Sequence, residues 1–514
     1  MALGRLSSTP VVDEAPWRAV AVPRRQPLST SCAYWGLIGL AVLSVLVRPV
    51  VEGARFPRVL LNLDAVLLPV VAAAVLLSAL VRWRQLTRLV RGLCVVMVLL
   101  GSSTVVSWYQ GEPATFAGLA LAFASVLLLP LVLLLAAIAA EGSGVRTGLF
   151  VLRVLVLMQL VVGTLQYVTR HVAQQAPFAA DMVNGTTSHN FWPVFALPAA
   201  MVLVLADRWR WRIFWPVAVV LLAIYSEAKA ALIVFLPTLA LISLLSWARD
   251  VRSGGGLRAR LPREFSTDRA LGWAVGVMTA IIVGLGVFWS PSVQGTWLIF
   301  KGHAQSLEDF AKNTEPYEGD PVKSGSFEKV PRGAEERERT AGRTPTLRDA
   351  SRVLSEILPN STTTLLFGLG PGNSVSHAAE VLAGGAANGA SLPRPSLIAS
   401  SLLVDEGDIA FEDAQSSVLG LWGDLGTVGA ALYAAAVGLA TAVLLRSASG
   451  LSRLIRLLSI GLVVGGLMVG GVLLDWTEQA AIVIPIGLIL LVLCRIARPD
   501  PHLRPTGSQI KEVG

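Results

Sequence analysis

Apolar residues along this chain gather in long unbroken runs, separated by short polar or basic stretches. They do not alternate as in half-buried strands, nor step at helical spacing as on soluble amphipathic helices. Leu119 to Ala140 and the run ending at Ala480 to Cys494 are plain cases. Such runs match the roughly 20 residues of helix needed to cross a hydrocarbon core. The runs predict helices near 33–51, 60–80, 92–109, 115–138, 148–168, 191–206, 213–227, 230–247, 270–289, 417–445, 456–474 and 479–495. Those at 191–206 and 213–227 are short, so tilted or irregular helices are expected there. The fold class expected is an all-α integral membrane protein with about 12 transmembrane helices.

The longest interval without a span is 290–416, a large, partly helical loop. Glu308 to Arg343 is dense in Glu, Lys, Arg, Pro and Gly, a composition that favours a mobile segment. Thr346 to Leu358 then reads as an amphipathic helix with Leu347, Val353, Leu354 and Ile357 on one face. Thr344 or Thr346 caps it and Pro359 ends it. Residues 384–400, rich in Gly, Ala and Ser, are expected to be irregular. The chain therefore divides into a tail (1–32), nine helices (33–289), the loop (290–416), three helices (417–495) and a second tail (496–514).

Composition agrees with this division. Of 514 residues 54% are hydrophobic and only 15% charged, and the mean hydropathy is +0.64. Soluble domains carry about a quarter charged residues. The net charge of +8 is spread over short basic clusters between apolar runs, which argues for topology determinants and against nucleic acid. Arg82, Arg84, Arg88 and Arg91 form one cluster, Arg208, Arg210 and Arg212 another, and Arg446, Arg453 and Arg456 a third. Residues 248–269 add six more arginines. With twelve spans all of these fall on one side with both termini, which the positive-inside rule makes cytoplasmic. Arg48, Arg55 and Arg58, in the first outer loop, run against the rule. The loop 290–416 is then extracytoplasmic. Cys32, Cys94 and Cys494 sit in or beside apolar runs and imply neither a disulfide framework nor a metal site. The first apolar run is expected to act as an uncleaved signal anchor.

Four places carry candidate chemistry, all on the outer side. In Asn184-Gly-Thr-Thr-Ser-His-Asn190, His189 and Asn190 lie at a membrane interface, where Ser188 could equally cap a helix. In Tyr225-Ser-Glu-Ala-Lys-Ala-Ala231, Glu227 and Lys229 sit between apolar runs with almost no loop. Charges at that depth cost about 2.5–3.5 kcal/mol each and need partners, for which a mutual Glu–Lys pair at the turn suffices, or a job. Arg348 and Arg352, four apart, precede Phe367-Gly-Leu-Gly-Pro-Gly-Asn373. Two such guanidinium groups suit a diphosphate, and a glycine run lets backbone N–H groups approach an anion. The fourth place, Phe411 to Gly429, holds Asp413, Gln415 and Asp424; Asp424 reads as a helix-packing or buried-network residue.

The order of these pieces resembles the O-antigen ligase and O-antigen polymerase superfamily of polytopic membrane glycosyltransferases. That family shows a Gly-x-x-x-x-Asn helix start and a helical hairpin turning at Ser-x-x-Arg-small-small-Leu. An arginine-bearing helix with Gly-x-Gly-x-Gly-Asn follows in a long outer loop, then His-Asn-x-x-Leu and Glu-Leu-Gly-x-x-Gly. The matching positions are Asn190, Ser226 to Leu232, Arg348 to Asn373, and Ser416 to Gly429, within about 184–445. Two positions depart from the pattern. Lys229 stands where the family has arginine, and Gln415 aligns with the family histidine and cannot serve as a base.

The resemblance implies a GT-C-like membrane enzyme that transfers glycan from an undecaprenyl-diphosphate carrier to an acceptor sugar hydroxyl, with no cofactor, no nucleotide sugar and no metal. Lys229, Arg348 and Arg352, with Asn190 and Asn373, would bind substrate, the cations stabilising charge on the leaving diphosphate. Asp413 or His189 would take the acceptor proton in place of Gln415. His377 and His303 are less well placed. The partners implied are the lipid-linked donor, the glycan acceptor, membrane lipids and other polysaccharide-assembly proteins, in the cytoplasmic membrane of a bacterium. Alternative readings are a peptidoglycan-type glycosyltransferase, a transporter, and a non-catalytic scaffold in envelope assembly.

Overall fold

The computed structural model describes residues 28–47, 63–111, 116–142, 145–171, 192–206, 209–225, 358–374, 416–448, 453–474 and 479–496, together with Ala114, Ser351, Leu354, Ser355, Ser376 and Thr477. Every regular element among them is a helix. In chain order these are α1 (Leu28–Val42), α2 (Leu63–Val81), α3 (Arg88–Gln110), α4 (Phe116–Leu121), α5 (Leu128–Ala140), α6 (Arg146–Gln166), α7 (Trp192–Ala206), α8 (Trp209–Tyr225), α9 (Thr362–Phe367), α10 (Ser417–Ser447), α11 (Arg453–Leu474) and α12 (Ala480–Ile496).

The runs read from sequence coincide with described helices, except those at 230–247 and 270–289, which lie outside the described residues. Among the described residues, five helical stretches are long and apolar enough to cross a membrane: Leu28–Leu46, Leu63–Val81, Arg88–Gln110, Arg146–Thr169 and Ser417–Ser447. A bent pair passes the same test only when its two parts are taken together, as a broken span or a re-entrant loop. The run expected as one helix at 115–138 is broken, and its two parts, Phe116–Val126 and Leu128–Ala140, meet at 51°. Pro130 explains the break, because it has no N–H for the Val126 carbonyl and its ring crowds that carbonyl.

Burial separates the helices into a centre and a periphery. Every residue of α5 is buried, and so is α12 from Ala481 to Arg495. Helices apolar on all sides belong in the middle of a bundle. They pack on each other, and α1 packs on both. Gly487 keeps that crossing tight: a Cβ there would lie 3.3 Å from Leu37 and closer still to Val132. The surrounding helices expose apolar side chains instead, among them Val70, Leu77 and Val81 of α2 and Val98, Leu99 and Val105 of α3. An apolar surface this extensive suits lipid, not water.

Contacts between helix ends sort the bundle into two ends. Thr87, the N-cap of α3, donates to Glu141 just past α5 (3.1 Å). Arg495 near the end of α12 donates from Nε and Nη2 to the Ala139 carbonyl (3.2 and 2.7 Å) and lies 4.0 Å over the Tyr34 ring of α1. The Tyr34 hydroxyl accepts from the Gly148 N–H of α6 (3.0 Å), and Arg456 of α11 donates to the Leu445 carbonyl of α10 (3.3 Å). One end thus collects Arg82, Arg84, Arg88, Arg91, Arg446 and Arg456. The far end of α3, about 34 Å away at 1.5 Å per residue, holds Ser107 and Gly111.

Arg495 adds a charged donor to the Ala139 carbonyl at the end of α5, which also accepts from the Gly142 N–H (3.0 Å). Arg495→Leu is expected to cost about 2–4 kcal/mol, from the lost charged hydrogen bonds and the cation over Tyr34. Thermal unfolding in detergent would show it as a lowered midpoint, with Arg495→Lys recovering part of the difference.

Candidate functional site at one end of the bundle

The far end is organised around a break in α10. Gly426 has φ 67° and ψ −169°, a conformation open in practice only to glycine, and the helical hydrogen-bond ladder is interrupted there. Ser416 caps the start of α10, its Oγ accepting from the Leu419 N–H (3.4 Å). The break leaves the carbonyls of Gly423 and Asp424 open to partners from outside the helix.

The glycine run of the loop supplies them. Ser361 caps α9 by accepting from the Thr363 N–H (3.2 Å), and Gly368 ends it with φ 81°, its N–H donating to the Thr364 carbonyl (2.7 Å). The chain then lies along the broken helix like a short strand. Leu369 N–H donates to the Gly423 carbonyl (2.8 Å), and Gly370 N–H to the Asp424 carbonyl (3.1 Å). Gly368 and Gly426 cross so closely that a Cβ on Gly368 would stand 2.6 Å from the Gly426 nitrogen. No side chain fits on either.

Asp424 completes the clasp. Its side chain is fully buried. One oxygen accepts from the Gly372 N–H (3.2 Å); the other accepts from the Ser374 N–H (3.2 Å) and the Ser374 hydroxyl (2.6 Å). The Ser374 hydroxyl is also within reach of the Gly420 carbonyl (3.3 Å). Hydrogen bonds to a charged group contribute about 1.5–3 kcal/mol each. These three, with a fourth from the Ser376 side chain, offset the several kcal/mol that burying one carboxylate costs. Beneath the clasp, Leu354 and Leu358 are buried with Leu365, Leu369, Leu419 and Trp422 around them.

Two of the motifs read from sequence therefore meet: Gly368 to Asn373, and Asp424 to Gly429. The glycine run does surround an anion with its N–H groups, but the anion is Asp424 of the same chain. The amides of Leu369, Gly370, Gly372, Asn373 and Ser374 all have acceptors within the protein. Asn373 is only 5% exposed, and its Nδ2 donates to the Leu369 carbonyl (3.1 Å). His189, Asn190, Lys229, Arg348, Arg352, Asp413 and Gln415 lie outside the described residues, as do Glu227, His303 and His377. Of the expected helix at 346–358, Ser351, Leu354 and Ser355 are described and helical, and a 3₁₀ turn at Leu358–Asn360 follows. No family model, no curated protein and no solved structure matches the chain.

Sequence reasoning missed Ser107, Gly111 and Ser374, and gave Gly426 no role. A signal for the α9 turn was present: Ser361 before three threonines and an apolar triplet, with glycine directly after, is a cap-to-cap pattern. Among the described residues no group of three His, Cys, Asp or Glu side chains is placed to hold a metal ion.

Proposed function

We propose that the protein is a membrane glycosyltransferase of the O-antigen ligase and polymerase kind, moving an oligosaccharide from undecaprenyl diphosphate to an acceptor sugar hydroxyl. In this reading the chain has about twelve spans, both termini in the cytoplasm of a bacterium, and the loop 290–416 outside. The observation that carries the reading is the clasp itself. Motifs that the resemblance links by order alone, the glycine run and the Asp-Leu-Gly-x-x-Gly helix start, touch, at the bundle end opposite the arginine-rich turns. The positive-inside rule makes the arginine end cytoplasmic, which sets the clasp on the outer face, where lipid-linked glycans are consumed.

The chemistry then divides between a leaving group and an acceptor. Lys229, Arg348 and Arg352 stabilise the charge that develops on the diphosphate as the glycosidic bond breaks. Asp413 or His189 takes the acceptor proton, because an amide at Gln415 cannot. Asn190 orients substrate, while Asn373, turned into the clasp, acts by holding its segment.

A strain lacking the gene tests this directly through its lipid extract and glycan length profile. Single repeats accumulating on undecaprenyl diphosphate, with long chains lost, mark a polymerase. Full-length glycan stranded on the carrier marks a ligase. An unchanged profile sinks the catalytic reading and leaves a scaffold or transporter. Lys229→Ala, Arg348→Ala and Asp413→Asn are each expected to lower transfer by 100-fold or more, on the order of 3 kcal/mol of transition-state stabilisation. Membrane levels of the protein should be unchanged; wild-type product from all three would remove the site assignment.

A further inference from the structure

Helix α3 carries none of the residues that point to transfer chemistry, yet its end is the third side of the clasp. Two neighbouring hydroxyl groups on this helix serve the helix itself: Ser102 donates to the Val98 carbonyl (2.9 Å) and Thr104 to the Leu100 carbonyl (2.9 Å), while the buried hydroxyl of Ser103 makes no hydrogen bond among the described residues. This bonding four residues back is the ordinary habit of Ser and Thr in spans. Ser107, fully buried, departs from it. Its Oγ donates to the Asp424 carbonyl at 2.5 Å, 317 residues away in the chain. That same carbonyl receives the Gly370 N–H, so both of its acceptor positions are used, one by α3 and one by the loop.

Gly111, which ends α3, shows the same dependence in its shape. Its φ of −70° and ψ of 141° suit any residue, so conformation does not call for glycine there. Space does. A Cβ on Gly111 would stand 2.8 Å from Asn373 Nδ2 and 2.9 Å from both the Gly370 Cα and the Leu369 carbonyl oxygen. In return, a Cβ on Gly370 would lie 2.7 Å from the Gly111 Cα. The two backbones cross with nothing between them.

We propose that Ser107 and Gly111 are positioning residues: they register the loop segment 368–374 against α10, and through it set the geometry of the transfer site. The second half of this assignment rests on the function proposed above; the first half does not. A span from the early part of the chain thereby fixes where the outer loop sits, without touching substrate.

The test uses full-length protein in lipid nanodiscs, with hydrogen exchange read by mass spectrometry and transfer from a lipid-linked oligosaccharide read in parallel. Ser107→Ala and Gly111→Ala are compared with Ser102→Ala, an exposed site on the same helix. Faster exchange at residues 369–374 is expected in the first two and not in the third. kcat per folded molecule should fall roughly tenfold for Ser107→Ala and roughly a hundredfold for Gly111→Ala, with KM for the donor unchanged, as displacement of reacting groups predicts. A purely packing role would lower the yield of folded protein and leave kcat per folded molecule alone. Wild-type exchange in both variants overturns the proposal, as does wild-type kcat despite faster exchange. Absence of transfer by the wild-type protein would fail the proposed function instead, with the exchange result still deciding whether α3 holds the loop.

Discussion

Gly426→Ala is expected to destabilise the folded protein by roughly 3–5 kcal/mol. The conformation at this position costs a residue with a side chain about 1–3 kcal/mol. The added Cβ would also fall 2.6 Å from the Leu366 carbonyl carbon and oxygen, which are backbone and cannot swing aside. Moving that backbone separates Leu369 from Gly423 and Gly370 from Asp424, two hydrogen bonds of about 1 kcal/mol each. The sum, roughly 3–5 kcal/mol, is a large share of the 5–15 kcal/mol typical of folded domains. A drop of roughly 3–5 °C in the unfolding midpoint is expected for a chain of this length, read by size exclusion after heating. Gly438→Ala on the same helix is the control. A Cβ there meets nothing within 4 Å, and alanine is the better helix former. Equal losses from both variants would show that the break in α10 does not carry the clasp.

Asp424 sets two effects against each other. Asp424→Leu removes a buried carboxylate, and replacing buried charge with apolar volume is often neutral or stabilising. It also strands the amides of Gly372 and Ser374, which have no other acceptor in the clasp, at about 1–3 kcal/mol each. The Ser374 hydroxyl is spared, because the Gly420 carbonyl can take it. Stranded backbone amides should win, since the glycine run cannot turn them outward without abandoning α10. A net loss of roughly 3 kcal/mol is expected for leucine. Asp424→Asn keeps one acceptor oxygen but turns an NH2 toward a donor, so roughly half that loss is expected. Hydrogen exchange at Gly372 to Ser376 should quicken in both. A leucine variant more stable than wild type would mean that desolvation dominates and that the clasp is tolerated, not stabilising.

Unbroken apolar runs made the helices legible, because a membrane span is written locally, in some twenty consecutive residues. Its edges were less so. α1 begins at Leu28, ahead of the apolar run, because Ser29 and Thr30 are buried within the bundle and continue the helix. The bend at Pro130 was masked for the opposite reason: a proline among leucines does not interrupt hydrophobicity, only hydrogen bonding. At the site, the acidic residue at 424 and the glycine run were visible as separate motifs, but their meeting was not. It depends on backbone atoms: the carbonyls of Gly423 and Asp424 and the N–H groups of Leu369 and Gly370, which every sequence contains. Ser107 was invisible for the same reason. One serine among the polar residues of α3 carries no mark that its partner lies on another helix.

The enclosed position of α12 bears on how the protein is made. It follows α1, α5, α6, α7 and α10 in the chain, yet all five pack against it. At about 5–20 residues per second, the chain between Ala140 and Ala480 takes tens of seconds to synthesise. For that interval the faces that these helices turn toward α12 lack its cover. Arg495 can reach the Ala139 carbonyl only once α12 has been made. A nascent chain that stops short of residue 480 therefore shows apolar faces that the finished bundle hides, and this distinguishes the two.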